Sequence, residues 1–199
     1  MSVLEVVRAL PGAEELRRRS QALAMCEAII SPDWESRYYS YDSRWSIERG
    51  EHLASMRNGS GDEYSIVFSP AGVWIRGLDH EAHQDPGLFD DVPAVFAGQV
   101  GEPAFSGGAN ICLWRETGDE QWHGRGLDDV SWVFEMLVDG TPEAYREFAE
   151  DYYEEDVDLE AVTAVFGLRP LTDELVRRLN PDVTVEYLDD DIAEIDYPR

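Results

Sequence analysis

Lysine is absent from this chain of 199 residues; all 16 of its basic residues are arginine. That absence excludes a P-loop lysine on a phosphate and a lysine Schiff base. Cysteine is scarce: Cys26 and Cys112 stand far apart, each inside an apolar run and neither in a C-x-x-C pair. Buried, reduced thiols are expected, with a single disulfide as the alternative. No apolar run approaches the length of about 18 residues that a membrane-spanning helix needs. Residues 1–10 lack a basic flank, an apolar run and a small-residue cleavage site, so no secretory signal is read there and a cytoplasmic location is expected. Neither G-x-S-x-G nor G-x-G-x-x-G occurs, which removes the nucleophile elbow and the dinucleotide fingerprint.

Acids are abundant. The chain carries 42 Asp and Glu and a formal net charge of −26. Nucleic acids and anionic membranes bind proteins through basic side chains that displace counterions, so neither is expected as a partner. The same field attracts a basic protein and speeds its encounter, an effect that salt weakens; it also keeps the chain soluble. The charge is uneven. Residues 1–50 are nearly neutral at −1, residues 51–140 carry −12 and residues 141–199 carry −13. The densest clusters are Glu150-Asp151 with Glu154-Glu155-Asp156, and Asp189-Asp190-Asp191. At 43% hydrophobic, with six Trp, nine Tyr and seven Phe, the chain still has enough apolar side chains for a packed core in one domain over residues 1–199.

Helical spacing dominates residues 2–30. Ser2 and Glu5 have capping-box spacing, Pro11-Gly12 interrupts, and residues 13–30 form a second helix with Leu16, Leu23, Cys26 and Ile30 on one face. Glu14 and Glu15 stand four residues before Arg18 and Arg19, so this arginine run reads as a self-neutralised helix surface. From residue 37 to 123 the period becomes two. Tyr39, Tyr41, Trp45 and Ile47 form one aromatic strand face, residues 53–57 a short strand, and residues 64–68 and 73–76 a hairpin around Ser69-Pro70-Ala71-Gly72. Residues 111–115 and 121–123 form another hairpin, while residues 85–106 read as a stretch rich in Pro, Gly and Asp with one helical turn around Val92 to Phe96. Residues 131–180 return to helix, opened at Thr141-Pro142, Asp158 and Thr172, before an acidic C-terminal tail. Trp132, Tyr145, Phe148 and Tyr152 are assigned to the core. The expected fold is α+β: an antiparallel, meander-like sheet of about five strands with N-terminal and C-terminal helices packed on one face.

Two segments could carry function. In Asp79-His80-Glu81-Ala82-His83, histidines three apart with flanking carboxylates have the right atoms for a divalent metal. The spacing is one short of H-E-x-x-H, and the segment follows a strand, so the main reading is a polar loop with no metal and no cofactor; Asp79, His80, Glu81 and His83 are the candidates if a metal binds. The second segment is the hairpin bearing Trp114, Arg115 and Trp122, whose aromatic and arginine content matches the anchors of protein interfaces. Its alternative is that both Trp serve the core. Asp151, Glu154 and Glu155 are the acids chosen to meet a cationic partner.

Three stretches, residues 65–81, 113–118 and 138–145, including Trp74-Ile75-Arg76-Gly77 and Gly140-Thr141-Pro142, resemble an uncharacterised bacterial family of α+β proteins with no established activity. The resemblance implies a soluble bacterial protein and transfers no functional residue. The leading expectation is therefore a non-enzymatic cytoplasmic binding module, an immunity or inhibitor protein that neutralises a basic partner. The alternatives are a metal-dependent hydrolase using His80 and His83, and a housekeeping or scaffold protein whose charge serves solubility.

Overall fold

A computed structural model describes residues 1–129 and 131–199. Its centre is a meander of six antiparallel strands in sequential order: β1 (Tyr39–Ser46), β2 (Glu51–Arg57), β3 (Glu63–Ser69), β4 (Gly72–Leu78), β5 (Ile111–Glu116) and β6 (His123–Gly126). The sheet thus has one strand more than the expected five, and β6 begins where the expected segment at 121–123 ends. Its sequence, His123-Gly124-Arg125-Gly126, has no apolar alternation to read. Glycine is required there because a Cβ on Gly124 would stand 2.6 Å from Leu113 and 2.9 Å from both Val3 and Val7. The first helix, α1 (Val3–Ala9), lies directly on that strand, opened by the capping box of Ser2 and Glu5.

The aromatic face of β1 is shorter than its alternation suggests. Tyr39 and Tyr41 point into the core, but the pairing with β2 shifts between Asp42 and Ser46. The irregularity ends the alternation, as bulges do, and Ile47 is left 78% exposed.

On the inner face of the sheet lies α2 (Ala13–Ile30), buried almost all round from Ser20 to Ile29. Beyond it the chain forms α3 (Ala97–Val100), α4 (Ser131–Asp139), α5 (Pro142–Tyr153), α6 (Leu159–Phe166), α7 (Asp173–Leu179) and α8 (Asp189–Ile195). The expected openings hold: Thr141, Asp158 and Thr172 each accept a backbone N–H of the first turn. The acidic tail is a helix instead. Asp189, Asp190 and Asp191 occupy its first turn, where the helix dipole favours negative charge. Arg37, itself buried, donates to both oxygens of Asp191 at 2.5 and 3.3 Å. Ile192, Ile195 and Tyr197 enter the main core, and the Tyr197 hydroxyl donates to the carbonyls of Val165 and Arg169 at 3.1 and 3.0 Å.

The sheet is covered on both faces rather than one. Helices bury the inner face; residues 85–106, read as a stretch rich in Pro, Gly and Asp, fold across the outer face. There Leu88, Phe96 and Ala109 join Val67, Trp74, Cys112 and Trp114 in a second apolar cluster. The side chains on both faces of β3 and β4 are consequently buried. Cys26 and Cys112 belong to opposite cores, both as free thiols. Burial raises both, Cys112 to about 12, which makes them unreactive. Two assignments to the core are corrected: Trp132 and Tyr152 are 40% and 45% exposed, whereas Tyr145 is buried and Phe148 half-buried. Trp132 stands in the first turn of α4 and Tyr152 near the end of α5.

Inside the main core sits one carboxylate. Glu27 is fully buried and accepts hydrogen bonds from the Tyr145 hydroxyl at 2.8 Å, the Tyr153 hydroxyl at 2.7 Å and the Tyr38 N–H at 2.7 Å. Each of these donors is neutral, and burial raises the acid above its ordinary range although the hydrogen bonds oppose the shift. A raised folded-state value means that this group favours folding most at acid pH, below the value of about 4.3 it has in an unfolded chain, and that the benefit is lost as pH rises through the folded value. Glu27→Ala strands three donors and is expected to cost about 3 kcal/mol in urea denaturation. Tyr153→Phe removes one donor and should cost about 1 kcal/mol. In the double variant the two losses should fall short of their sum, because both changes break the same contact.

Candidate functional site

The antiparallel register of β3 and β4 decides the surroundings of His80. Glu63 pairs with Leu78, so Asp62, Asp79 and His80 meet at the end of the β3–β4 pair, in the middle of the sheet. Asn58 shapes the approach: its Oδ1 accepts the N–H groups of Ser60 and Asp62 at 2.8 and 3.1 Å, and its Nδ2 donates to Asp62 Oδ2 at 2.6 Å. Asp62 is buried, Asp79 half-buried and His80 exposed, and one ligand atom from each lies within 4.8 Å of the others.

Two carboxylates and an imidazole could share a divalent cation. Their atoms already serve one another, however. Asp62 Oδ1 accepts the His80 N–H at 2.8 Å and lies 2.7 Å from His80 Nδ1, while Asp79 Oδ1 accepts the Glu81 N–H at 3.0 Å. Of the residues singled out from sequence, the fold brings together Asp79 and His80. It leaves Glu81 and His83 outside, with His83 exposed beside Gln84, Asp85 and Asn110 in a separate hollow. Asp62, eighteen residues before His80, was not among the sequence candidates. Its Asn58-x-x-x-Asp62 loop was the only available signal.

The Trp114–Trp122 hairpin is spent on packing. Trp114 is 7% exposed in the outer core, its ring stacked on His123 with centroids 5.9 Å apart. Trp122 is 5% exposed in the main core, and its indole N–H donates to the Pro11 carbonyl at 2.8 Å. Arg115 closes the turn, donating twice to the Asp119 carbonyl at 3.0 and 2.9 Å. The two Trp side chains present little surface to a partner, whereas Arg115 is half-buried.

Exposed aromatic surface lies elsewhere, between α4 and α5. A groove of about 450 Å³ lies there, lined by Tyr38, Trp132, Met136 and Phe148 together with Glu135, Asp139 and Glu147. No arginine lines it among the described residues. The T-shaped pair Tyr38–Phe148 and the stacked pair Phe148–Tyr152, with centroids 4.8 and 5.5 Å apart, extend this aromatic patch along α5. Asp151, Glu154 and Glu155 are all exposed at the far end of the same helix. That end is the negative pole of the helix dipole and its last turn holds no basic residue, so the acids sit where the helix itself disfavours them. The helical spacing of Trp132, Glu135, Met136 and Asp139 was the sequence signal for the groove; it was masked by treating the whole segment as interior.

The Asp62 hydrogen bond raises His80 above the usual imidazole value of about 6.5. Burial pushes Asp62 upward, but the His80 and Asn58 donors outweigh it and leave the acid below its usual range. The signs are complementary. The histidine's contribution to stability is complete below about pH 6.5 and lost as pH rises through its folded value; the aspartate's is present above about pH 3.9 and lost as pH falls through its own. The His80 ring is expected to titrate above the usual imidazole value in NMR and at lower pH in Asp62→Asn than in the parent; an unchanged midpoint would show that Asp62 is not its partner. No protein-family model, curated protein or solved structure matches the chain.

Proposed function

We propose that the protein is a binding module of the inhibitor or immunity type, acting in the cytoplasm, whose α4–α5 groove receives a Lys- or Arg-bearing segment of a basic protein. The observation that carries this reading is the groove itself. Aromatic faces attract cations, carboxylates pair with them, and here both line one cleft without an arginine to compete. Aromatic side chains recessed among polar neighbours are also the form that interface hot spots take. The acids at the end of α5, the helix that carries Glu147 and Phe148 of the cleft, supply the long-range field that steers a cationic partner. Their position at the unfavourable end of a helix dipole argues against charge placed for solubility alone, which could have been put at no such cost elsewhere. Two buried thiols suit a reducing compartment.

A second reading, metal-dependent hydrolysis, is favoured only by the convergence of Asp62, Asp79 and His80. It requires stoichiometric metal in purified protein and its loss in His80→Ala.

A fluorescent peptide of alternating Arg and aromatic residues tests the main reading. Its association is expected to slow at least about tenfold between about 0.05 M and about 0.5 M salt, and further in Asp151→Asn/Glu154→Gln/Glu155→Gln. Trp132→Ala should weaken binding about tenfold or more at any one salt concentration, through faster dissociation. Binding that ignores salt, or that tolerates Trp132→Ala, would overturn the assignment.

A further inference from the structure

The outer face of the sheet carries a second cleft, lined by two arginines as well as by carboxylates. Cross-strand pairing sets Ser40, Ser55, Ser65 and Arg76 in one row across β1 to β4. Three short hydroxyl side chains in line leave a trough, with the Ser40 and Ser55 oxygens 2.7 Å apart on its floor. The trough holds about 280 Å³, below the usual range for drug-sized ligands, so it suits a small one. Its walls are aromatic. Trp45 stacks on Phe105 with centroids 6.0 Å apart, and the Arg57 guanidinium lies over the Trp34 ring at 4.4 Å.

Two guanidinium groups line the same end. Arg76 is 3% exposed; its Nη1 donates to Glu63 at 2.9 Å and its Nη2 to the carbonyls of Gly107 and Gly108. Among the described residues its Nε has no hydrogen-bond partner, nor has Arg57 Nη2, although both atoms are buried. Buried polar groups are nearly always paired, and an unmet donor on a charged group is costly. Of the other carboxylates that line the trough, Asp42 stands away from this end, since it pairs with Leu53, four residues along β2 from Arg57.

We propose that this trough is a binding site for a small planar organic acid. The acid group meets Arg57 and Arg76, and the ring lies among Trp34, Trp45 and Phe105. Guanidinium forks match planar acid groups, and stacked aromatic walls match a flat ring. The site is separate from the α4–α5 groove, shares no lining residue with it and does not depend on the function proposed there.

The test uses indole-3-acetate, benzoate and phenyl phosphate as probes, with indole and tryptamine as neutral and cationic controls, followed by protein NMR shifts and calorimetry. At least one acid is expected to saturate the site in the millimolar range or tighter, with affinity at least about tenfold above that of indole. Arg57→Gln, at a half-exposed position that the fold should tolerate, is expected to weaken it about tenfold. Trp132→Ala, in the other groove, should leave it unchanged. The proposal is overturned if no acid probe saturates, if tryptamine binds best, or if Arg57→Gln binds as the parent does.

Discussion

The carboxylate of Glu27 ties three parts of the fold to one point. It stands on α2, the most deeply buried helix, and draws in the backbone at Tyr38 and two hydroxyls from α5. Burying a carboxylate without a cation is costly, and the structure offsets that cost only if all these donors converge. A hydrophobic face alone would let α5 slide or rotate over α2. Hydrogen bonds of fixed length and direction do not, so the aromatic patch of Tyr38, Phe148 and Tyr152 is held in one arrangement. The groove between α4 and α5 inherits its shape from that constraint.

The sheet separates two chemical environments. Its inner face is filled by helices, and the surface those helices present to solvent is acidic and aromatic. Its outer face is covered in part by residues 85–106 and elsewhere leaves a trough with arginines at one end. A chain with so few basic residues uses several of them structurally: Arg37 holds α8 through Asp191, Arg19 donates to the carbonyls of Leu137 and Val138 at the end of α4, and Arg115 closes a turn. Arg57 stands out because its guanidinium rests on Trp34 and its Nη2 finds no hydrogen-bond acceptor among the described residues.

The candidate sites were legible unevenly. His80 and Asp79 could be singled out because their types and spacing suit a metal or a proton relay, and the fold does bring them together. Asp62 could not, since its approach depends on the register of β3 against β4. Trp114 and Trp122 showed the composition of an interface, yet composition does not tell a core strand from an exposed one. The acids of α5 were visible as a charge cluster; that their helix lines an aromatic cleft follows from helix packing.

Local pattern determined the long helix at 13–30, the hairpin around Pro70, the helix openings at Thr141, Asp158 and Thr172, and the antiparallel α+β class. All of these rest on interactions among residues within a few positions of one another, where periodicity and capping act directly. Tertiary structure decided the rest: the sixth strand under α1, the second core on the outer face, the packing of the acidic tail as a helix, and both clefts. Each depends on surfaces that meet across long stretches of chain, as Tyr145 meets Glu27 over 118 residues. Periodicity tells which face of an element is apolar. Which two faces meet is set by the geometry of packing, and that is written in no single segment.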